Sequence, residues 1–256
     1  MKLNSKLHWM DWVALSMIVL LAVLYAWTLM EVPFHPDEST QIYMSKDFES
    51  LFRDPLSLSW GGNPQLNDED RIRAIDAPLA KYLIGANRVL FSIPPLAADW
   101  DWGLSWEENR FAGALPSSRQ LLYSRAVITA LLPISLLFFY LAFKKILPGI
   151  SALAALILLG LNPLILLHGR RAMSEGVLLL GVALFLWLVT RDNRNPWLIG
   201  LSLGLGINAK YSALSLLPAA YLAVSLLPGL DFDLQRATKN ILKTSLVFFL
   251  TFLLLN

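Results

Sequence analysis

From Trp12 to Met30 the chain runs without a charged residue. A helix needs about 20 predominantly apolar residues to cross the hydrocarbon core of a bilayer, so this run predicts a first transmembrane span. Six further apolar blocks stand at about Leu121–Phe143, Ile150–Leu167, Gly176–Val189, Trp197–Ile207, Ala213–Leu227 and Ile241–Leu255. The blocks at 197–207 and 213–227 are short and meet at "NAKY" (208–211), which reads as two short helices with a polar tip.

Residues 31–119 are different: amphiphilic, rich in Trp, Pro, Asp and Glu, with no window able to span. Pro36 opens a helix there with Asp37 and Glu38 in its first turn, the usual signals of a helix N-terminus. Ile42, Phe48, Leu51 and Phe52 are available to one side of it. "GGNPQLNDEDR" (61–71) is turn-forming, and "APLAKYLIGANRVLFSI" (77–93) predicts an amphipathic helix lying in the interface plane, with Lys81 and Arg88 among aliphatics. "PPLAADWDWGLSWEENRF" carries tryptophans of the kind found at headgroup level. The expected fold is therefore all-α: a polytopic transmembrane protein forming one unit over 1–256. Its first span is 1–30, its long outer loop 31–119 carries interfacial amphipathic helices, and its further spans occupy 120–256.

Composition supports the pattern. The chain is 56% hydrophobic and 16% charged, whereas soluble domains sit near ~45–50% and ~25%. No basic tract is present, which excludes ordinary nucleic-acid binding. The absence of cysteine excludes disulfides and thiolate metal sites. Lys2 and Lys6 precede the first span as in a signal peptide, but "EVPFHP" offers no small-residue cleavage pattern, so an uncleaved anchor is predicted. With the N-terminus in the cytoplasm, the short inner connections hold Lys2, Lys6, Lys144, Lys145, Arg191, Arg194, Arg236, Lys239 and Lys243. The short outer ones hold only Arg170, Arg171 and Lys210. That distribution obeys the positive-inside rule. The last block closes the chain at "LVFFLTFLLLN". Either this helix ends the protein or, as preferred here, the sequence is the front part of a longer one.

This topology gathers the ionisable residues on the outer face: Asp37 and Glu38 after the first span, Lys81 in the loop, His168, Arg170, Arg171 and Glu175 in "LLHGRRAMSEGVLL", and Lys210 with Tyr211 at the polar tip. Each has a modest alternative role. Asp37 and Glu38 can complement a helix dipole, Lys81 can snorkel, and Glu175 can pair with Arg171 at i, i+4. Together they predict a site. Cations there would stabilise charge developing on a phosphate leaving group, and a carboxylate would take a proton from a hydroxyl. Position at lipid depth implies that one substrate is a lipid.

The ordered segments "FHPDES", "DAPLAKYLIGANR", "SRAVITALLPISLLFFYLAFKK", "GRRAMSEGVLLLGVALFLWLV" and "GLSLGLGINAKYSALSLLPAAYL" resemble the N-terminal half of the polytopic GT-C glycosyltransferases. Among these the likeness is to protein O-mannosyltransferases and lipid A aminoarabinose transferases. The resemblance implies transfer of a sugar from a polyprenyl-phosphate carrier to a protein, lipid or glycan hydroxyl, inverting, on the extracytoplasmic side of the cell membrane. It implies Asp37 as catalytic base and Glu38 beside it, orienting the acceptor or neighbouring cations. Lys81, Arg170, Arg171 and Lys210 would bind the donor phosphate, supported by Glu175, His168 and Tyr211. The first proline of the family's Pro-Pro-Leu-x-Lys stretch is Ala77 here, and its later acid is Glu175. A divalent metal on Asp37 and Glu175 is a further possibility. A transporter or lipid flippase, and an inactive remnant, are the competing classes.

Overall fold

The computed structural model describes residues 9–58, 76–226 and 233–255; the turn expected at 61–71, and Lys2 and Lys6, lie outside them. The described residues fold entirely into helices and connecting turns, with no strands. Among the described residues, three helices are long and apolar enough to cross a membrane: Trp9–Trp27, Ser118–Ile146 and Leu234–Leu255. At 1.5 Å per residue, the 19 residues of the first cover about 29 Å, close to a bilayer's hydrocarbon thickness.

The first of these is α1 (Trp9–Trp27). Its single acid, Asp11, is buried and accepts from Tyr140 Oη at 2.9 Å and from Lys144, so the charge is matched within the protein. Beyond it come α2 (Pro36–Met44), α3 (Asp47–Arg53), α4 (Leu79–Leu90) and α5 (Trp106–Ala112). The second long segment is α6 (Ser118–Thr129) running into α7 (Leu131–Ile146). They separate at Ala130 because Pro133 has no N–H to offer the preceding turn.

Next, α8 (Gly149–Gly160) and α9 (Pro163–His168) divide the block expected at 150–167. Asn162 caps α9 by accepting from Leu164 N at 2.9 Å, with Pro163 as its first residue. Then follow α10 (Ser174–Val189) and α11 (Pro196–Ala209), a 3-10 turn at Tyr211–Leu216, α12 (Leu217–Ser225) and α13 (Leu234–Leu255). The two short helices meeting at "NAKY" are present, broken where Lys210 is extended (φ −161°, ψ 132°).

Three cores hold these elements. Leu21, Tyr25, Leu136 and Leu156 join α1, α7 and α8. Ile42, Ile84, Ile128 and Val177 join α2, α4, α6 and α10. Phe185, Leu203, Val224 and Phe248 join α10 to α11, α12 and α13. The second core matters most for function, because it welds the helices of the 31–119 region onto the long helices. α10 belongs to both the second and third and carries the load between them. Outward faces of α1 and α13 are apolar, with Leu20, Val23, Leu246, Phe249 and Leu253 exposed, as lipid-facing helices require.

The amphipathic helix expected at 77–93 is α4, but its buried face carries Lys81 and Arg88 along with Ala80 and Ile84. Those cations do not snorkel: Lys81 Nζ meets Asp47 Oδ2 at 2.8 Å, and Arg88 Nη2 meets Glu49. Both acids lie on α3, so α3 and α4 clasp through buried and half-buried ion pairs. The approach is close enough that a Cβ on Gly85 would lie 2.3 Å from the Ser45 carbonyl oxygen and 2.5 Å from Phe48 Cβ. Backbone is the obstacle, so Gly85→Ala should destabilise by about 1–3 kcal/mol, the usual cost of overpacking. Thermal unfolding in detergent should show the lower melting temperature; an unchanged one would mean that α4 does not seat against α2 and α3 this tightly.

Candidate functional site

The site is built around an arginine. Arg125, one of the largest fully buried side chains, sends Nε and Nη2 to Glu38 Oε1 and Oε2 at 2.8 and 2.7 Å. Its Nη1 donates to the carbonyls of Leu29 (3.2 Å) and Val32 (2.8 Å), in the chain leaving α1. Glu38 in turn accepts from His35 N at 3.1 Å and from Ala172 N at 2.8 Å. Two opposite charges with no exposed surface thus pin the exit of α1, the start of α2, the body of α6 and the turn before α10. Such a pair survives burial only when its hydrogen-bonding capacity is filled, as it is here.

Neighbouring positions on a helix point about 100° apart, so the inward turn of Glu38 leaves Asp37 facing out. The Asp37 side chain is 51% exposed. His35 Nδ1 accepts the Asp37 N–H at 3.2 Å, capping α2. That nitrogen also lies 3.5 Å from Asp37 Oδ2, but in a neutral ring it is the lone-pair side and has no proton to give. The carboxylate is left to accept from elsewhere.

Asp37 opens onto a pocket of about 340 Å3 whose wall includes Thr40, Gln41, Asp76, Asp99, Trp100 and Trp102, with Glu175 and Lys210 across from α2. Lys210 Nζ holds Glu175 Oε1 at 2.6 Å. Gln41 Nε2 donates to Asp76 Oδ2. Burial pushes Asp76 above the ordinary carboxylate range; Lys81 and Lys210 oppose the shift, while Asp37 and Glu175 add to it. Burial likewise raises Asp99, against hydrogen bonds from Thr40 and the Trp100 backbone, with Lys46 opposing and Asp37 adding.

Glu175 has a second face. It also lines an apolar groove of about 320 Å3 made by Leu164 and Ile165 of α9 and Leu178, Leu179 and Val182 of α10, with His168 in the same wall. A charged cavity and a greasy one therefore share one side chain. His168 Nδ1 and Glu175 Oε2 are buried there without hydrogen-bond partners among the described residues.

The expected residues divide accordingly. The pocket brings together Asp37, Glu175 and Lys210. Glu38, expected beside Asp37 at the acceptor, is turned into the protein and holds Arg125. Lys81, expected on the donor phosphate, is 3% exposed and committed to Asp47. Arg170 donates to Leu166 O and, at 2.9 Å, to Thr28 O, tying the turn to the end of α1. Arg171 is buried, with Nε lacking a partner among the described residues. It does not pair with Glu175, because α10 begins only at Ser174 and the i, i+4 register never forms. Tyr211 packs on the third core. For a metal on Asp37 and Glu175 the fit is poor: among the described residues no three His, Asp or Glu side chains gather closely enough to hold an ion. Arg125, Asp76 and Asp99 are additions the sequence reading missed. Arg125 carried a signal, being a charge inside an apolar block.

No family profile, curated protein or solved structure matches the chain.

Arg125→Met should cost about 3–5 kcal/mol, because it strands the Glu38 carboxylate in the core. Chemical or thermal unfolding of the purified protein checks this, and a loss near zero would show that Glu38 is reached by water. Asp76 gives a pH test. A carboxyl raised by folding contributes stability below its unfolded pKa and loses it as pH climbs through the folded value. Asp76→Asn removes that loss, so its melting temperature relative to the native protein should rise between about pH 4 and pH 7. A difference that stays constant with pH would contradict the penalty on charged Asp76.

Proposed function

We propose that this chain is an integral membrane glycosyltransferase. It takes a sugar from a polyprenyl-phosphate carrier and passes it, with inversion, to a hydroxyl acceptor at the extracytoplasmic face. The observation that carries the reading is the shared wall: Glu175 borders both the charged pocket and the apolar groove, so a ligand with a phosphate head and an isoprenoid tail matches the pair of cavities.

In this reading the chain is multi-pass with a cytoplasmic N-terminus, and the pocket opens outward. The isoprenoid lies along Leu164, Leu178 and Val182. The phosphate meets Lys210, whose ammonium is held ready by Glu175 and remains 44% exposed. Asp37 accepts the proton of the acceptor hydroxyl as its oxygen bonds to the anomeric carbon. The carbon–oxygen bond to phosphate breaks on the opposite side, and its electron pair leaves with the polyprenyl phosphate. A carboxylate on the attacking face and a cation on the leaving face both act on charge that exists mainly in the transition state. Arg125 and Glu38 take no part in the chemistry; they hold Asp37 where it can act.

The full chain in proteoliposomes, given a panel of tritiated polyprenyl-phosphate hexoses and pentoses, should release label from the carrier. Asp37→Asn should slow release by roughly 10²–10⁴-fold, the usual worth of a general base. Release at an unchanged rate in Asp37→Asn would overturn the role of Asp37, and no release by the native protein from any carrier would overturn the activity.

A further inference from the structure

The pocket has a direction. Asp37 lies near enough to both Asp76 and Asp99 to raise the pKa of each, while the charges of Lys210 and Glu175 bear on Asp76. The charges acting on Asp99 are those of Lys46 and Asp37. The wall of the pocket has a cationic end at the Lys210–Glu175 pair, where the apolar groove begins, and an aromatic end formed by Asp99, Trp100 and Trp102. Asp37 lines the same cavity. If the carrier enters by the groove, the aromatic end is where the second substrate meets the base.

The chemistry of that end is selective. Trp100 and Trp102 line it with ring centroids 6.4 Å apart and planes at 69°. Trp100 is braced from behind by Trp106 at 5.3 Å and Phe34 at 6.2 Å, so its ring is held in place, whereas Trp102 is 69% exposed. Among the charged side chains that line the pocket, four are carboxylates and one is a lysine. Asp99 accepts from the Trp100 N–H at 2.7 Å and from the Thr40 side chain, and a carboxylate can accept further donors. Gln41 is 4% exposed, and its Oε1 lines up with no donor among the described residues although its Nε2 is bonded to Asp76. A buried amide oxygen without a partner costs stability unless a ligand supplies the proton.

A braced indole suits a flat C–H surface, and carboxylates beside an unpartnered amide oxygen suit a ligand that presents many O–H donors. A peptide backbone presents carbonyls as often as N–H groups and would leave acceptor facing acceptor. We propose that the aromatic end is an acceptor subsite for a carbohydrate ring, so that the second substrate is a glycan or glycolipid. This rests on the transfer reading above.

The test uses the full chain in proteoliposomes with the polyprenyl-phosphate sugar that the release assay identifies. Its acceptors are soluble neutral oligosaccharides and Ser- or Thr-containing peptides. Oligosaccharides should be glycosylated with the higher kcat/KM, and Trp102→Ala should raise their KM by about tenfold, the loss of one aromatic contact. Transfer should fall further in Trp102→Ala than hydrolysis of the donor by water. Preference for peptide hydroxyls, or equal losses in transfer and donor hydrolysis, would overturn the proposal; equal losses would mean that the rings hold the donor's own sugar. Tryptophan fluorescence titration with the same oligosaccharides reads the subsite without turnover. Saturable quenching that Trp102→Ala weakens supports the subsite even if the activity reading fails, and no quenching by any of them counts against it.

Discussion

A guanidinium sealed from water is the constraint on which the rest of the structure depends. Arg125 would be intolerable in the second core unless a carboxylate and several carbonyls met it there. Meeting it requires that the chain leaving α1 bend back over α6, and that the first turn of α2 present Glu38 inward. It also requires the turn before α10 to bring the Ala172 N–H within 2.8 Å. Satisfying one buried charge thereby sets the positions of four segments far apart in sequence. Asp37 is placed by the same demand: the residue next to an inward glutamate on a helix has to look elsewhere.

The pocket that results is polarised. Its wall carries Lys210 paired with Glu175, Asp99 with the tryptophans, and Asp37. Burial leaves Asp76 and Asp99 reluctant to ionise, and the lysines that act on them only partly offset it. A pocket of that character favours ligands that donate hydrogen bonds, and its junction with the α9–α10 groove favours ligands with an apolar tail. In the proposed reaction the two halves meet at Asp37, with the remaining ion pairs serving as scaffold.

The long apolar runs were plain from sequence, because length and the absence of charge decide a spanning helix almost alone. Trp12–Met30 became Trp9–Trp27, and the polar tip at Lys210 was where the pattern put it. Partner choice was not legible. Lys81 looked like a phosphate ligand because its sequence neighbours are aliphatic, yet Asp47, thirty-four residues earlier, folds beneath it on α3. Glu175 looked like the partner of Arg171 because four residues separate them, but helical spacing applies only inside a helix. Asp76 and Asp99 gave no local sign at all; their importance comes from a cavity that the fold creates between residues of α2, the start of α10 and the loop that carries Trp100. Arg125 was visible in principle, as a lone charge in an apolar block, though not its partner.

The most direct measurement is photo-crosslinking of the purified protein in nanodiscs with a polyprenyl phosphate that carries a photoreactive isoprenoid tail, followed by mass spectrometric mapping of the labelled residues. Adducts concentrated on α9 and the first half of α10, around Leu164, Leu178 and Val182, and suppressed by excess unlabelled carrier, are the predicted result. Labelling spread over the exposed faces of α1 and α13, or adducts that excess carrier fails to suppress, would contradict the account.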